Sequence, residues 1–508
     1  MINCTPIARS ILYRRWEKLC RDTRQFAECQ ERVLAQILRS AADTEYGRQH
    51  GFREILQSSS SADEFRRRVP AVGYEELRPL VMRMIRGEKD VLWRGRCRRF
   101  AQSSGTSGGK SKFIPVTCDS LRLNHYSGAS LAVASYLAEN PSSRLFSGKG
   151  LVLGGSFSST LGDIPRGTLA GDLSATLIND ITPLAEIFRV PDRKTALMPD
   201  WNVKLTALAE AAARADVTNI SGVPSWMLVV LRKVLEITGK SDISEVWRNL
   251  EVFFHGGISF SPYREEYRKI ISGERMHYRE TYNASEGFFA IQTGDSGSSM
   301  LLLPSNGIYY ELIPLGGSPE DATTPDMARP GSVYELMITA CNGLFRYRIG
   351  DTVKVTGTDP VAILIAGRTR SFINAFGEEL MEYNADKAIA ETCSATGASA
   401  ADYTAAPVYS ADGRKGHHQW LVEWITPPAD KSRFTAMLDE RLRALNSDYD
   451  AKRSGDIFLG PPAITDAPPG FFDRWLASTG SGKLGGQRKV PRLSNSRGII
   501  DSMLAQLP

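Results

Sequence analysis

The 508-residue sequence contains no C-x-x-C pair, and its seven cysteines are odd in number and widely scattered. That excludes a zinc ribbon or a disulfide framework and fits a reducing compartment. Histidine is scarce as well. His417-His418 is the one adjacent pair, and neighbours on an extended segment point to opposite faces, so a shared metal is not encoded there. No apolar run reaches the length of a membrane span. The first twenty residues are interrupted by Arg9, Arg14, Arg15 and Lys18, so they hold no apolar core of signal-peptide length. The net charge of +5 is spread along the chain. The densest basic run, Arg94, Arg96, Arg98 and Arg99, has only Trp93 and Phe100 interleaved, which reads as a solvated face and not a nucleic-acid surface. No fixed-period repeat is present. These absences predict a soluble, cytoplasmic protein without nucleic-acid or membrane partners. Length and a hydrophobic fraction of 42% allow two or three domains with ordinary cores.

Glycine, by contrast, is concentrated. Gln102-Ser103-Ser104-Gly105-Thr106-Ser107-Gly108-Gly109-Lys110-Ser111-Lys112 is small, polar and glycine-dense, between the apolar runs Arg99-Phe100-Ala101 and Phe113-Ile114-Pro115-Val116. Glycines let successive N–H groups converge, and hydroxyls and lysines add donors, so the composition is that of a phosphate cradle. A Walker A loop would need a glycine at 104, where Ser104 stands, and a helix after it, which Pro115 opposes. Gly105-Thr106-Ser107-Gly108-Gly109 has the spacing of a nucleophile elbow, but that motif also requires a following helix. A flexible linker is disfavoured by the flanking runs, which predict paired strands.

Elsewhere the pattern alternates. Helices are expected over 7–41, from Asp63 to Pro70, over 74–87, 120–138 and 201–214, and from an N-cap at Ser225 through 226–235. Short apolar strands ending in glycine turns are expected at 150–155, 218–224 and 252–257. Helices alternating with such strands indicate an α/β core. From about 281 the signal becomes an antiparallel β section, with strands at 288–292, 308–313, 333–339 and 344–348 and an exposed loop over 314–331. A helix over 383–392, strands at 402–409 and 418–425, an amphipathic helix over 430–446 and a loop-rich tail over 454–497 complete the chain. Within that tail Gly480–Gly486 is expected to be mobile.

Three motifs in order carry a family resemblance. Ser103-Ser104-Gly105-Thr106-Ser107-Gly108-Gly109-Lys110 is similar to S-S-G-T-S-x-G-x-x-K, with Lys110 one place early. Tyr282-Asn283-Ala284-Ser285-Glu286 resembles Y-x-S-S-E, with Ala284 in place of the first serine. Tyr347-Arg348-Ile349-Gly350-Asp351 matches Y-R-x-G-D. Thr44–Gly47, Ser221–Trp226, His255-Gly256-Gly257 and Gln487–Arg492 look similar too, so nearly the whole chain is covered. The chain resembles the auxin-responsive (Gretchen Hagen) acyl acid amido synthetases of the adenylate-forming superfamily, which includes acyl-CoA ligases and luciferase.

That resemblance implies an adenylate-forming α/β fold, with an N-terminal adenylation domain over 1–368, a hinge over 369–380 and a mobile C-terminal lid domain over 381–508. It implies ATP and Mg2+, a carboxylic acid and an amine, usually an amino acid, as substrates, and a monomer. Ser103, Ser104, Gly105, Thr106 and Ser107 would grip phosphate, with Ser285 beside them. Glu286 would hold Mg2+, Tyr282 would pack on adenine, and Gly256 and Gly257 would let backbone approach the base. Asp351 and Arg368 would reach the ribose; Arg370 stands where many relatives have a hinge aspartate. Lys489 would bridge carboxylate and α-phosphate, with Lys483 as its rival. An acyl-CoA ligase shares the first half-reaction, and a catalytically inactive binding protein is the alternative outside enzymes. Tyr126, Trp226 and Met227 hint at an apolar or aromatic acid, and core packing explains them equally.

Overall fold

The apolar runs around 150, 220 and 254 become adjacent parallel strands, because each is buried on both faces. In the computed structural model the chain is described over residues 3–507, except 104–111, 158–160, 162–163, 259, 261–262, 274, 295–298, 369–371, 410–414, 455–458 and 479–490.

The strands, in chain order, begin with β1 (Arg99–Ser103), β2 (Lys112–Pro115), β3 (Lys149–Val152), β4 (Leu169–Gly171), β5 (Arg189–Val190), β6 (Val217–Gly222) and β7 (Val252–Gly256). There follow β8 (His277–Ala284), β9 (Gly287–Gln292), β10 (Met300–Leu302), β11 (Ile308–Pro314), β12 (Val333–Ala340), β13 (Leu344–Thr358) and β14 (Val361–Arg368). Among the described residues they make a three-stranded sheet, β2-β1-β4, and a large sheet ordered β11-β12-β13-β14-β10-β9-β8-β7-β6-β3-β5. The large sheet is parallel from β5 to β8 and antiparallel from β8 to β11. The chain thus holds both the α/β core and the antiparallel section expected, fused in one sheet.

The helices differ from expectation at their ends. The run expected as one helix over 7–41 is two, Thr5–Arg24 and Phe26–Ala41, because Gln25 leaves helical geometry at φ −123°, ψ 48°. The second carries the deeper apolar face, with Leu34, Ile37 and Leu38 all at most 2% exposed. The helix expected over 120–138 begins as a π-turn, Ser120–His125, before Tyr126–Glu139. Ser225 is not the N-cap. The helix Pro224–Thr238 starts two residues earlier with Val223 as cap, since proline's fixed φ suits the first helical position. The 314–331 connection is not simply an exposed loop: it contains two 3-10 turns, and Thr323 pairs back with Leu312.

The chain forms two compact units. One comprises 1–103, 112–260 and 267–369; the other comprises 370–508 with a short segment around Tyr263, whose hydroxyl donates to the Ala375 carbonyl at 2.5 Å. The second unit carries a two-stranded ladder, β15 (Phe372–Ile373) with β16 (Leu380–Met381), and a sheet ordered β17 (Ser399–Val408), β18 (His417–Thr426), β19 (Ala463–Ala467). Helices Glu382–Thr396 and Lys431–Leu445 contribute to its core, in which Trp420, Phe434, Leu438 and Leu442 are fully buried. The tail read as loop-rich contains β19 and the helix Phe471–Ser478; Gly480–Gly486 lies outside the described residues. No helix among the described residues is long and apolar enough to cross a membrane.

Candidate active site

The glycine-rich stretch is flanked by an antiparallel pair. β1 and β2 pair from Phe100↔Pro115 to Ser103↔Lys112, so a strand and not a helix follows the stretch. That is incompatible with a Walker loop or a serine elbow. Ser103 is half-buried at the end of β1, whereas Ser104, Gly105, Thr106 and Ser107 lie outside the described residues. Tyr74, at the start of the helix Tyr74–Ile85, anchors the outgoing limb: the Phe113 N–H donates to its hydroxyl at 2.7 Å. Burial pushes the Tyr74 phenol up to about 12, and the charge of Glu286 adds to that shift.

Glu286 sits in a tight turn. β8 and β9 pair down to Ala284↔Gly287, which leaves Ser285-Glu286 as a two-residue connection. Ser285 is half-buried and Glu286 only 6% exposed. Buried asparagines hold this hairpin. Asn342 donates to the Glu286 carbonyl at 3.2 Å, and Asn124 accepts from the Phe288 N–H at 2.7 Å. Satisfied buried amides of this kind fix backbone position. Among the described residues no three metal-ligating side chains cluster. Glu286 is the carboxylate that this turn would offer a Mg2+ ion, with phosphate oxygens completing its shell, a set that suits the ion.

The second and third motifs meet inside the large sheet. The Tyr282 hydroxyl donates to Asp351 at 2.6 Å, and the two residues are 4% and 6% exposed. The Tyr282 ring belongs to the core, tilted on Phe289 at 4.7 Å between centroids. Asp351 follows Gly350, whose φ of +90° favours glycine. In the β13–β14 ladder the backbone of Arg368 stands opposite Asp351. Arg348 is engaged elsewhere, in a two-pronged ion pair with Glu335 at 2.9 and 2.6 Å.

Gly256 and Gly257 end β7. A Cβ on Gly256 would sit 2.4 Å from the Thr281 carbonyl of the neighbouring strand, and Gly257 has φ +84°. Both positions require glycine for close approach and turn geometry. His255, just before them, is buried and stacked on Phe260 at 4.4 Å. At the carboxyl end of β3, Lys204 is 2% exposed and donates to the carbonyls of Gly154 and Gly155 at 2.5 and 3.0 Å. Burial lowers its amine to about 8. Sequence reading missed Tyr74, Asn124, Asn342 and Lys204 as site supports, and no motif marks them. A lysine on a helix otherwise dominated by alanine was the one available signal, for Lys204 alone.

The structure thus brings together Tyr282, Asp351 and the Arg368 backbone, with Gly256 beside Thr281 on the adjoining strand. Lys489 and Lys483 lie outside the described residues.

Comparison with known proteins shows what the whole chain is similar to. An indole-3-acetic acid-amido synthetase GH3.8 of Oryza sativa subsp. indica is 26% identical, covering 93% of this chain and 89% of that protein. The jasmonoyl–L-amino acid synthetase JAR6 of Nicotiana attenuata is 25% identical over 66% of this chain and 67% of its own. Among solved structures, the AtGH3.15 acyl acid amido synthetase in complex with 2,4-DB superposes with a TM-score of 0.61 at 20% identity, covering 98% of this chain and 96% of that one. A 2-hydroxyisobutyryl-CoA ligase shares the fold at a TM-score of 0.58 and 13% identity, covering 94% and 92%. Residues 15–202 and 162–276 match the GH3 family N-terminal domain, 301–368 its central domain and 383–498 its C-terminal domain, and the chain belongs to the GH3 family.

Proposed function

We propose that the chain is an ATP-dependent acyl acid amido synthetase. A carboxylate oxygen attacks the α-phosphorus of ATP; the bond to the β-phosphate bridging oxygen breaks, giving acyl-adenylate and pyrophosphate. An amine, of an amino acid in our reading, then attacks the acyl carbon. AMP leaves, the amine gives up a proton, and an amide remains. The observation that carries this reading is the buried Tyr282–Asp351 hydrogen bond, which joins two family motifs far apart in sequence.

Each residue type suits its role. Asp351 accepts ribose hydroxyls while Tyr282 keeps its carboxylate oriented, and Arg368 reaches the same sugar. Ser103, Ser104, Thr106, Ser107 and the backbone around Gly105 donate to phosphate oxygens as negative charge builds on them. Ser285 adds a hydroxyl at the neighbouring turn. Gly256 and Gly257 leave room for the base. Glu286 would ligate Mg2+, which when bound offsets the charge of the triphosphate. Lys489 aligns the acid with the α-phosphate and offsets developing charge. The hinge lies over 369–380, and the lid over 381–508 delivers that lysine.

The test is Lys489→Ala. Acid-dependent ATP–pyrophosphate exchange should fall about 10²-fold or more, the scale of losing one transition-state donor, and near-normal exchange would reject the role. Supplying preformed acyl-adenylate with either an amino acid or coenzyme A, and following product by mass spectrometry, separates amide synthesis from thioester formation. An acid-by-amine product screen then names the substrates.

A further inference from the structure

The helix Thr5–Arg24 turns an apolar stripe outward. Ile7 and Ile11, one turn apart, are 67% and 63% exposed, and Leu184, in the short turn Pro183–Glu186, is 71% exposed. Isolated exposed leucines and isoleucines are unremarkable, but Ile11 and Leu184 come together at one cleft. Ile11 and Leu184 both line a cleft of about 880 Å³, a volume typical of small-molecule sites. Its remaining apolar lining includes Leu12, Leu121 and Tyr126. The hydroxyl of Tyr126 is fixed on the Leu177 carbonyl at 2.9 Å.

The rim is cationic. Arg15 donates to the Ser130 hydroxyl at 2.7 Å and, among the described residues, pairs with no carboxylate. The Arg122 side chain is 75% exposed and stands 3.7 Å from Asp119, a carboxylate that Arg94 already holds at 2.9 Å. Arg99 is ion-paired with Asp180. Three arginines, Arg15, Arg99 and Arg122, line this cleft with Asp180 as the one carboxylate among its described lining residues, and guanidinium groups are well suited to accept another. An apolar pit beneath surplus guanidinium charge is complementary to a molecule with an apolar tail and one anionic head.

We propose that this cleft binds an amphipathic carboxylate, its head between Arg15 and Arg122 and its tail on Ile11 and Leu184. The site is separate from the glycine-rich stretch. It opens at the Arg99 end of β1, while the stretch leaves from Ser103, about 13 Å further along the strand. The four residues named for head and tail have no role in the adenylation reading; Tyr126, in the wall of the cleft, is the one residue common to both.

The probe is decanoate below its micellar concentration, titrated calorimetrically into the full-length chain. One equivalent should bind, and its Kd should rise about tenfold in Arg122→Glu and again in Leu184→Asp. Both positions are on the surface, so the variants should keep the parent's thermal melt and acid-dependent pyrophosphate exchange. Decyltrimethylammonium, with the charge reversed, should not bind. An equivalent insensitive to both substitutions lies elsewhere, and if every equivalent behaves so, the proposal fails. It fails equally if the cation binds as well as decanoate, or if the chain takes up phosphatidylglycerol vesicles without binding the monomer.

Discussion

The buried Tyr282 hydroxyl donates to the Asp351 carboxylate at 2.6 Å and so helps to orient it. Tyr282→Phe should raise the KM for ATP roughly five- to tenfold, the worth of about one hydrogen bond to a charged group, while the melting temperature changes little. An unchanged KM in pyrophosphate exchange would show that the tyrosine does not hold Asp351 for the nucleotide. A second residue sets an acid limit. His125, inside the π-turn, is 3% exposed, and burial alone lowers its imidazole to about 4. The unfolded chain takes up that proton near 6.5, so between 6.5 and 4 it binds more protons than the native state. The stability contribution is complete above 6.5 and is lost as pH falls to about 4, on the order of 3 kcal/mol. Urea unfolding of His125→Leu should lack that part of the acid slope. A slope equal to the parent's would place the acid sensitivity elsewhere.

At the scale of elements, the site depends on how closely strands approach. β7 and β8 are parallel neighbours in register at Gly256↔Thr281, and the glycine leaves space for the Thr281 carbonyl. Gly256→Ala should force the two strands apart and lower stability by about 1–3 kcal/mol, seen as a lower melting temperature together with weaker ATP binding. A variant with parental melting and ATP affinity would mean that the sheet yields at no cost. Strands were legible here because runs such as Val252-Phe253-Phe254 are both apolar and short. Helix ends were less so: Gln25 breaks a continuous apolar period without any glycine or proline signal, and the Pro224 start overrides the serine expected as cap. The π-turn over Ser120–His125 has no mark in the sequence, since its residues read as ordinary helix.

For the whole molecule, the second unit has apolar clusters of its own, one around Trp420, Phe434 and Leu442 and another around Leu421, Phe472 and Met503. A fragment spanning 370–508 should therefore unfold cooperatively by itself, as a unit of that size with its own core does. A broad, non-cooperative urea transition would mean that its core needs the rest of the chain. The sequence by itself determined the α/β class, the order of the three motifs and the glycine-dense stretch, because periodicity, turn residues and spacing are local properties. Tertiary structure alone decided that Tyr282 meets Asp351 across 69 positions, that β10 lies between β14 and β9, and that buried asparagines brace the Glu286 turn. Those pairings come from sheet order and burial, which bring together side chains that no local pattern connects.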